Sequence, residues 1–209
     1  CLSSIAYVKK KGYREAEYYI LLLFATLGMM VFTSAGDLIT LYVGLELMTM
    51  SFIVLIGFAR RNALSTEAAI KYLVLSGLSS AIMLYGMSLI YGFMGTTMFL
   101  QMSQSISMFY NSAFMVFGLL LFLSGFAYKL SAVPFHMWAP DIYQGAPTPV
   151  AGFLAVGAKV ASLGLLCRLL YNFFPYYAQS WQPVILALAM LSIIFGNLVA
   201  IPQRDVKRM

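Results

Sequence analysis

Residues 129–161 read KLSAVPFHMWAPDIYQGAPTPVAGFLAVGAKVA. Two lysines, one histidine, one aspartate and four prolines fall in this stretch, while its flanks, 112–128 and 150–170, are apolar enough to sit in lipid. A cation at the centre of a transmembrane helix costs roughly 2.5–3.5 kcal/mol on insertion scales, so an ionisable side chain at that depth points to function. Prolines at membrane depth are tolerated only where the freed backbone is buried in protein or lines a wet cavity. The stretch therefore predicts a helix broken between two buried lysines, Lys129 and Lys159, and a polar path beside it.

The whole chain carries the same signal. Of its 209 residues 62% are hydrophobic and 10% charged, against about 25% charged in a typical soluble domain. The mean hydropathy is +0.86. Several apolar runs reach 18 or more residues, each enough to span about 30 Å of hydrocarbon, which excludes a soluble enzyme. The net charge of +6 does not describe a nucleic-acid-binding face. Lys9, Lys10, Lys11, Arg14, Arg60, Arg61, Arg204, Lys207 and Arg208 gather at span ends, which is a topology signal. Cys1 and Cys167 lie far apart without a CxxC spacing, giving no metal or iron–sulfur site and no disulfide framework, and Cys167 reads as a small packing residue.

Taken in order, a basic lead (1–15) precedes a first span at about 16–35, and Gly36 with Asp37 makes a tight reversal. The second span, about 38–58, holds Glu46 near its middle. The third, about 67–93, carries Lys71 one turn inside its start, with Ser76, Gly77, Ser80 and Ala81 suited to close helix approach. Residues 94–111 fit a loop or short interfacial helix. The fourth span runs from about 112 to Lys129 and continues, after the break, as a half-helix at 133–145. The fifth is about 148–170 and the sixth about 183–201. The prediction is an all-α, polytopic transmembrane bundle of about six crossings with one discontinuous helix. Counted so, all the basic segments fall on one side, which the positive-inside rule makes cytoplasmic.

Five ionisable groups are candidates for carrying protons. Glu46 is too deep to snorkel, with Tyr42 and Thr49 near it on one helix face. It reads either as a structural carboxyl bonded between helices or as a carboxylate that pairs with a lysine. Lys159 sits mid-span, where desolvation disfavours an ammonium and a nearby carboxylate favours it. Lys129 reads as interfacial or buried, and the break at Pro134 favours depth. Lys71 is equally open to an interfacial reading. His136, the chain's one histidine, is either a hydrogen-bonding brace or a proton relay. No spacing suggests a metal site. Asp141 and Arg168 read as structural.

The string PFHMWAPDIYQGAPTPV (134–150) resembles the antiporter-like membrane subunits of proton-pumping NADH:quinone oxidoreductase, respiratory complex I. Further matching pieces are GDLITLYVGLEL (36–47), EAAIKYLVLSGLSSAIMLYG (67–86) and NLVAIPQRDVKRM (197–209). Lys129, Pro134, His136, Trp138, Pro140 and Asp141 form a frame that related subunits and Mrp-type antiporters share. GAPTPV with a lysine some ten residues on is closest to the N-type subunit.

The resemblance implies a bundle of inverted five-helix repeats, each with a broken helix. This chain would be a fragment supplying the first repeat (16–170) and the start of the second (183–209), within a single transmembrane domain (1–209). It implies that Glu46 pairs with Lys129, that Lys71 acts beside them, and that protons pass on toward Lys159, all driven by quinone reduction elsewhere. NADH, FMN, iron–sulfur clusters and quinone would then bind other subunits. The expected partners are the other membrane subunits of complex I and the lipid of a bacterial inner membrane, with no nucleic acid. The alternative is an Mrp-like monovalent cation/proton antiporter subunit. A third reading, a scaffold subunit whose polar residues only brace helix packing, predicts that neutral substitutions cost assembly rather than transport.

Overall fold

The computed structural model describes residues 4–105 and 112–209. Part of the predicted 94–111 connection, residues 106–111, lies outside them. After α1 (Ile5–Lys11), two antiparallel helices, α2 (Glu15–Ser34) and α3 (Leu38–Ile56), pack face to face. Their backbones approach at two glycines. A Cβ at Gly28 would lie 2.5 Å from the Met48 nitrogen, and one at Gly44 would lie 2.5 Å from the Phe32 nitrogen. Asp37 caps α3: its carboxylate accepts from the Ile39 and Thr40 N–H groups and the Thr40 hydroxyl. Burial works against that charge, but the three hydrogen bonds outweigh it and hold the carboxyl below its ordinary pKa.

Next come α4 (Ala63–Met94), the short α5 (Phe99–Ser105) and α6 (Ala113–Leu130). The predicted break follows. Ser131 turns left-handed at φ 57°, and the Ser131 and Ala132 N–H groups close the helix end on the Tyr128 and Ala127 carbonyls. The chain then crosses a turn and resumes as α7 (Trp138–Gly145), five residues later than the sequence suggests. Two prolines lie here, Pro134 within the turn and Pro140 in the first turn of α7, where a missing N–H does no harm. The Val133 N–H, freed by the break, donates to Ser192 Oγ at 2.9 Å.

The helix α4 serves as a ruler for this broken element. Its 32 residues extend about 48 Å at 1.5 Å per residue. Gly118 and Phe122 lie against Gly86, and Gly125 against Met83. Farther along, Trp138 meets Tyr72 and Gly145 meets Leu64. So α6, the turn and α7 together run the length of one helix. The interruption, with Lys129 beside it, falls near the middle of that length.

The fifth span is continuous from Thr148 to Asn172 but not uniformly α-helical. After α8 (Thr148–Phe153), residues Leu154–Ala158 form a π-helical turn before α9 (Lys159–Asn172). Among the described residues, six helices are long and apolar enough to cross a membrane. The sixth, α10 (Ala178–Ala200), begins five residues earlier than predicted and takes Pro183 into its interior. Trp181, whose indole donates to the Phe174 carbonyl, pins that earlier start.

The core lies where α2, α3, α4, α6 and α9 meet. Phe32 stacks on Phe126, Phe52 packs on Phe153, and the Arg168 guanidinium donates to the Thr33 carbonyl, tying α9 to the end of α2. By contrast α10 lies outside this group, with Trp181 its one buried residue. Two expectations need correction. α6 approaches α4 closely at Gly86, not at Gly77, where an added Cβ would meet nothing within 4 Å. Cys167 faces outward instead of packing inside.

The basic segments gather at one end. Tyr13 packs on Phe58 at 5.4 Å, joining the lead to the 58–62 loop. The tail joins the same end, since Arg208 and Lys207 bind α7 close to where Gly145 meets Leu64.

Candidate functional site

Lys129 is 4% exposed although it is a cation. It lies in the last turn of α6, so the break leaves its amine beside α3 and α4 rather than beside more of its own helix. Its Nζ donates to Thr49 Oγ1 at 2.6 Å, and the Thr49 hydroxyl donates in turn to the Leu45 carbonyl. The rings of Tyr72 and Tyr128 lie 5.7 and 5.9 Å from Nζ. A hydroxyl and two ring faces are the neighbours of a group that water would otherwise solvate.

Glu46 is half-buried on α3, one turn before Thr49. Among the described residues it forms no direct ion pair with Lys129. Its charge acts through space on Lys129, Tyr72 and Tyr42, and its Oε1 is buried without a hydrogen-bond partner. An unpaired buried carboxylate oxygen is costly, so this is an acceptor held ready for a donor.

Lys159 is half-buried and begins α9 directly after the π-helical turn. Such turns are uncommon and frequent at functional sites. Its Nζ lies 5.7 Å from the Tyr143 ring of α7. Between the two lysines stands an aromatic cluster. Trp138 contacts Tyr72 at 5.4 Å, Tyr128 at 5.2 Å and Tyr143 at 6.1 Å, and its indole donates to the Tyr128 carbonyl. The Tyr128 hydroxyl and Nδ1 of His136 are buried with no hydrogen-bond partner among the described residues, and the hydroxyls of Tyr143 and Ser131 are buried close to each other. Buried polar groups clustered in this way are commonly bridged by ordered water.

Lys71 goes elsewhere. Its Nζ pairs with Glu67 Oε1 at 2.7 Å and Asp141 Oδ2 at 2.8 Å, at the basic end rather than beside Glu46 and Lys129. Arg208 Nη1 holds the other Asp141 oxygen at 2.8 Å. These partners are all about a third or more exposed, so solvent screens each pair. His136 lies in the turn between α6 and α7. Thus the fold brings Glu46 within electrostatic reach of Lys129, whose amine is held by Thr49 one turn along α3, sets Lys159 on the far side of the aromatic cluster, and keeps Lys71 with Asp141. Sequence reasoning passed over Tyr72, Tyr128, Tyr143 and Ser131. Two of them left a signal, because each tyrosine adjoins a lysine within an apolar span: Tyr72 after Lys71 and Tyr128 before Lys129.

Among the described residues, no three His, Cys, Asp or Glu side chains are placed to hold a metal ion. Fold and site together define a polytopic α-helical membrane protein built on an antiporter-like broken helix. The family is fixed by comparison: residues 35–209 match the model for "NADH:quinone oxidoreductase/Mrp antiporter, TM", and the chain belongs to that family. It is 50% identical over 206 residues to NADH-quinone oxidoreductase subunit N of Moorella thermoacetica, covering 99% of this chain and 43% of the relative. It is 49% identical over 208 residues to the subunit of the same name in Desulforamulus reducens, covering 100% and 44%. Among solved structures it is similar to a chain of respiratory complex I from Thermus thermophilus, with a TM-score of 0.77, 33% identity and coverage of 92% and 41%. The chain spans less than half the length of these relatives.

Proposed function

We infer that this chain is part of a proton-translocating, N-type membrane subunit of NADH:quinone oxidoreductase. The observation that carries the reading is Lys129: an amine buried at mid-depth beside a helix break, within electrostatic reach of Glu46 and, among the described residues, without an ion-pair partner. A carboxylate near an amine decides whether that amine keeps its proton. Quinone reduction in partner subunits shifts the helix bearing Glu46. When the carboxylate withdraws, the Lys129 proton passes along water held by Ser131, Tyr143 and His136 toward Lys159. NADH, flavin, iron–sulfur clusters and quinone belong to those partners, so the chain moves protons and does no redox chemistry itself. Lys71 anchors α7 through Asp141 on this reading, and takes no proton.

The bundle from residue 16 to 170 reads as the first five-helix repeat, and 183–209 as the start of the second. The outlying position of α10 supports that division. The clustering of the basic segments supports a cytoplasmic position for their end in a bacterial inner membrane, by the positive-inside rule. Similarity to subunit N along nearly the whole chain favours this reading over an Mrp-type antiporter.

Positioned proton-transfer groups contribute roughly 10²–10⁴-fold. Lys159→Ala and Glu46→Gln, each in the assembled complex in proteoliposomes, are expected to lower the rate of proton pumping at least about tenfold on that basis. Full pumping with either change would refute the assignment.

A further inference from the structure

We propose that the basic end of the bundle holds the headgroup of one anionic phospholipid, with an acyl chain laid along the outer face of α2. The site is a cavity of about 600 Å³ between the turn that joins α1 to α2 and the loop that joins α3 to α4. Four cations line it, Lys11, Arg14, Arg60 and Arg61, against one carboxylate, Glu17. Glu17 is engaged by Arg14 at 2.7 Å and reaches Arg60 at 4.0 Å. Among the described residues Lys11 and Arg61 have no ion-pair partner. Net positive charge therefore remains in a concave pocket. Gly12, at φ +64°, lets the chain reverse so that Lys11 and Arg14 both border it, and Tyr13 with Phe58 supplies an apolar wall.

A second observation points to a lipid rather than a free anion. Starting one turn beyond Glu17 on the same helix, an apolar groove of about 400 Å³ is lined by Ile20, Leu23, Phe24, Thr26, Leu27 and Met30. Ile20, Phe24 and Leu27 follow Glu17 at the three- and four-residue spacing of one helix face. The arrangement thus offers cations at the span end and, one turn further along α2, an apolar groove on its outer face. Phosphate alone would use only the first, and an apolar tail only the second. Basic pockets between membrane helices recognise lipid headgroups in this way. The inference is independent of the proton-translocation reading.

The test uses the full chain purified in mild detergent, stripped of lipid and re-equilibrated with equal phosphatidylglycerol and phosphatidylcholine, with bound lipid counted by native mass spectrometry. Wild type is expected to retain phosphatidylglycerol preferentially. At about fivefold per cation near an anionic surface, Arg60→Gln with Arg61→Gln should lower that retention roughly 25-fold. Lys9→Gln with Lys10→Gln removes the same charge from α1 outside the pocket and should leave retention unchanged. Equal loss in both double variants, or no preference in wild type, would overturn the proposal. Displacement of the lipid by millimolar inorganic phosphate would overturn it too, by showing a free-anion site.

Discussion

Lys129→Met is expected to lower proton translocation roughly 10²-fold, to a measurable residual rate, while leaving the protein at least as stable as the parent. The ammonium is compensated by one hydroxyl and two ring faces, and no counter-ion touches it. A hydrogen bond to a charged group contributes about 1.5–3 kcal/mol and an aromatic face about 0.5–2. Desolvating the charge costs several kcal/mol, so replacing buried charge with an apolar side chain of similar volume is often neutral or stabilising, by about 1–4 kcal/mol. Thr49 keeps its own donor satisfied at Leu45, so the substitution strands no hydroxyl hydrogen. Thermal unfolding in detergent and proton uptake by reconstituted complex are the paired measurements. A variant that fails to fold yet pumps normally per folded molecule would support a scaffold role instead.

The second large effect concerns packing. A Cβ on Gly86 would lie 2.5 Å from the Phe122 nitrogen and 2.7 Å from the Gly118 oxygen. Both are backbone atoms of α6, so no side chain can move aside and the helices must separate. Gly86→Ala is expected to cost about 1–3 kcal/mol, the usual penalty of overpacking. Gly77→Ala, on the same helix with open space around it, is expected to gain up to about 1 kcal/mol from helix propensity. Opposite shifts in thermal midpoint are the predicted outcome. Equal shifts would mean that the α4–α6 approach does not set the spacing that presents Tyr72 to Lys129.

The six spans were legible because apolar runs of membrane length leave little choice of element, and the break was legible because Pro134 and a buried lysine coincide. Its extent was not, since nothing in the composition distinguishes residues 133–137 as turn from helix. The π-helical turn before Lys159 left no periodic signature. Small residues on α4 were visible, but which of them meets a partner depends on the face that α6 covers, and Gly77 and Gly86 read alike in the sequence. The same limit applies to charges. Lys71 and Asp141 are 70 positions apart. Only the fold brings them together, whereas the pairing of Glu46 with Lys129 was implied by family resemblance, and among the described residues the two interact through space rather than as a direct ion pair.

The claim that Glu46 and Lys129 act as one switch is tested most directly by a double-mutant cycle on pumping. Glu46→Gln, Lys129→Met and the double variant are compared in the assembled complex, as protons moved per quinone reduced. If the carboxylate works through the amine, Glu46→Gln will cause no further loss once Lys129 is gone. Losses that multiply, as for two independent sites, would contradict the account.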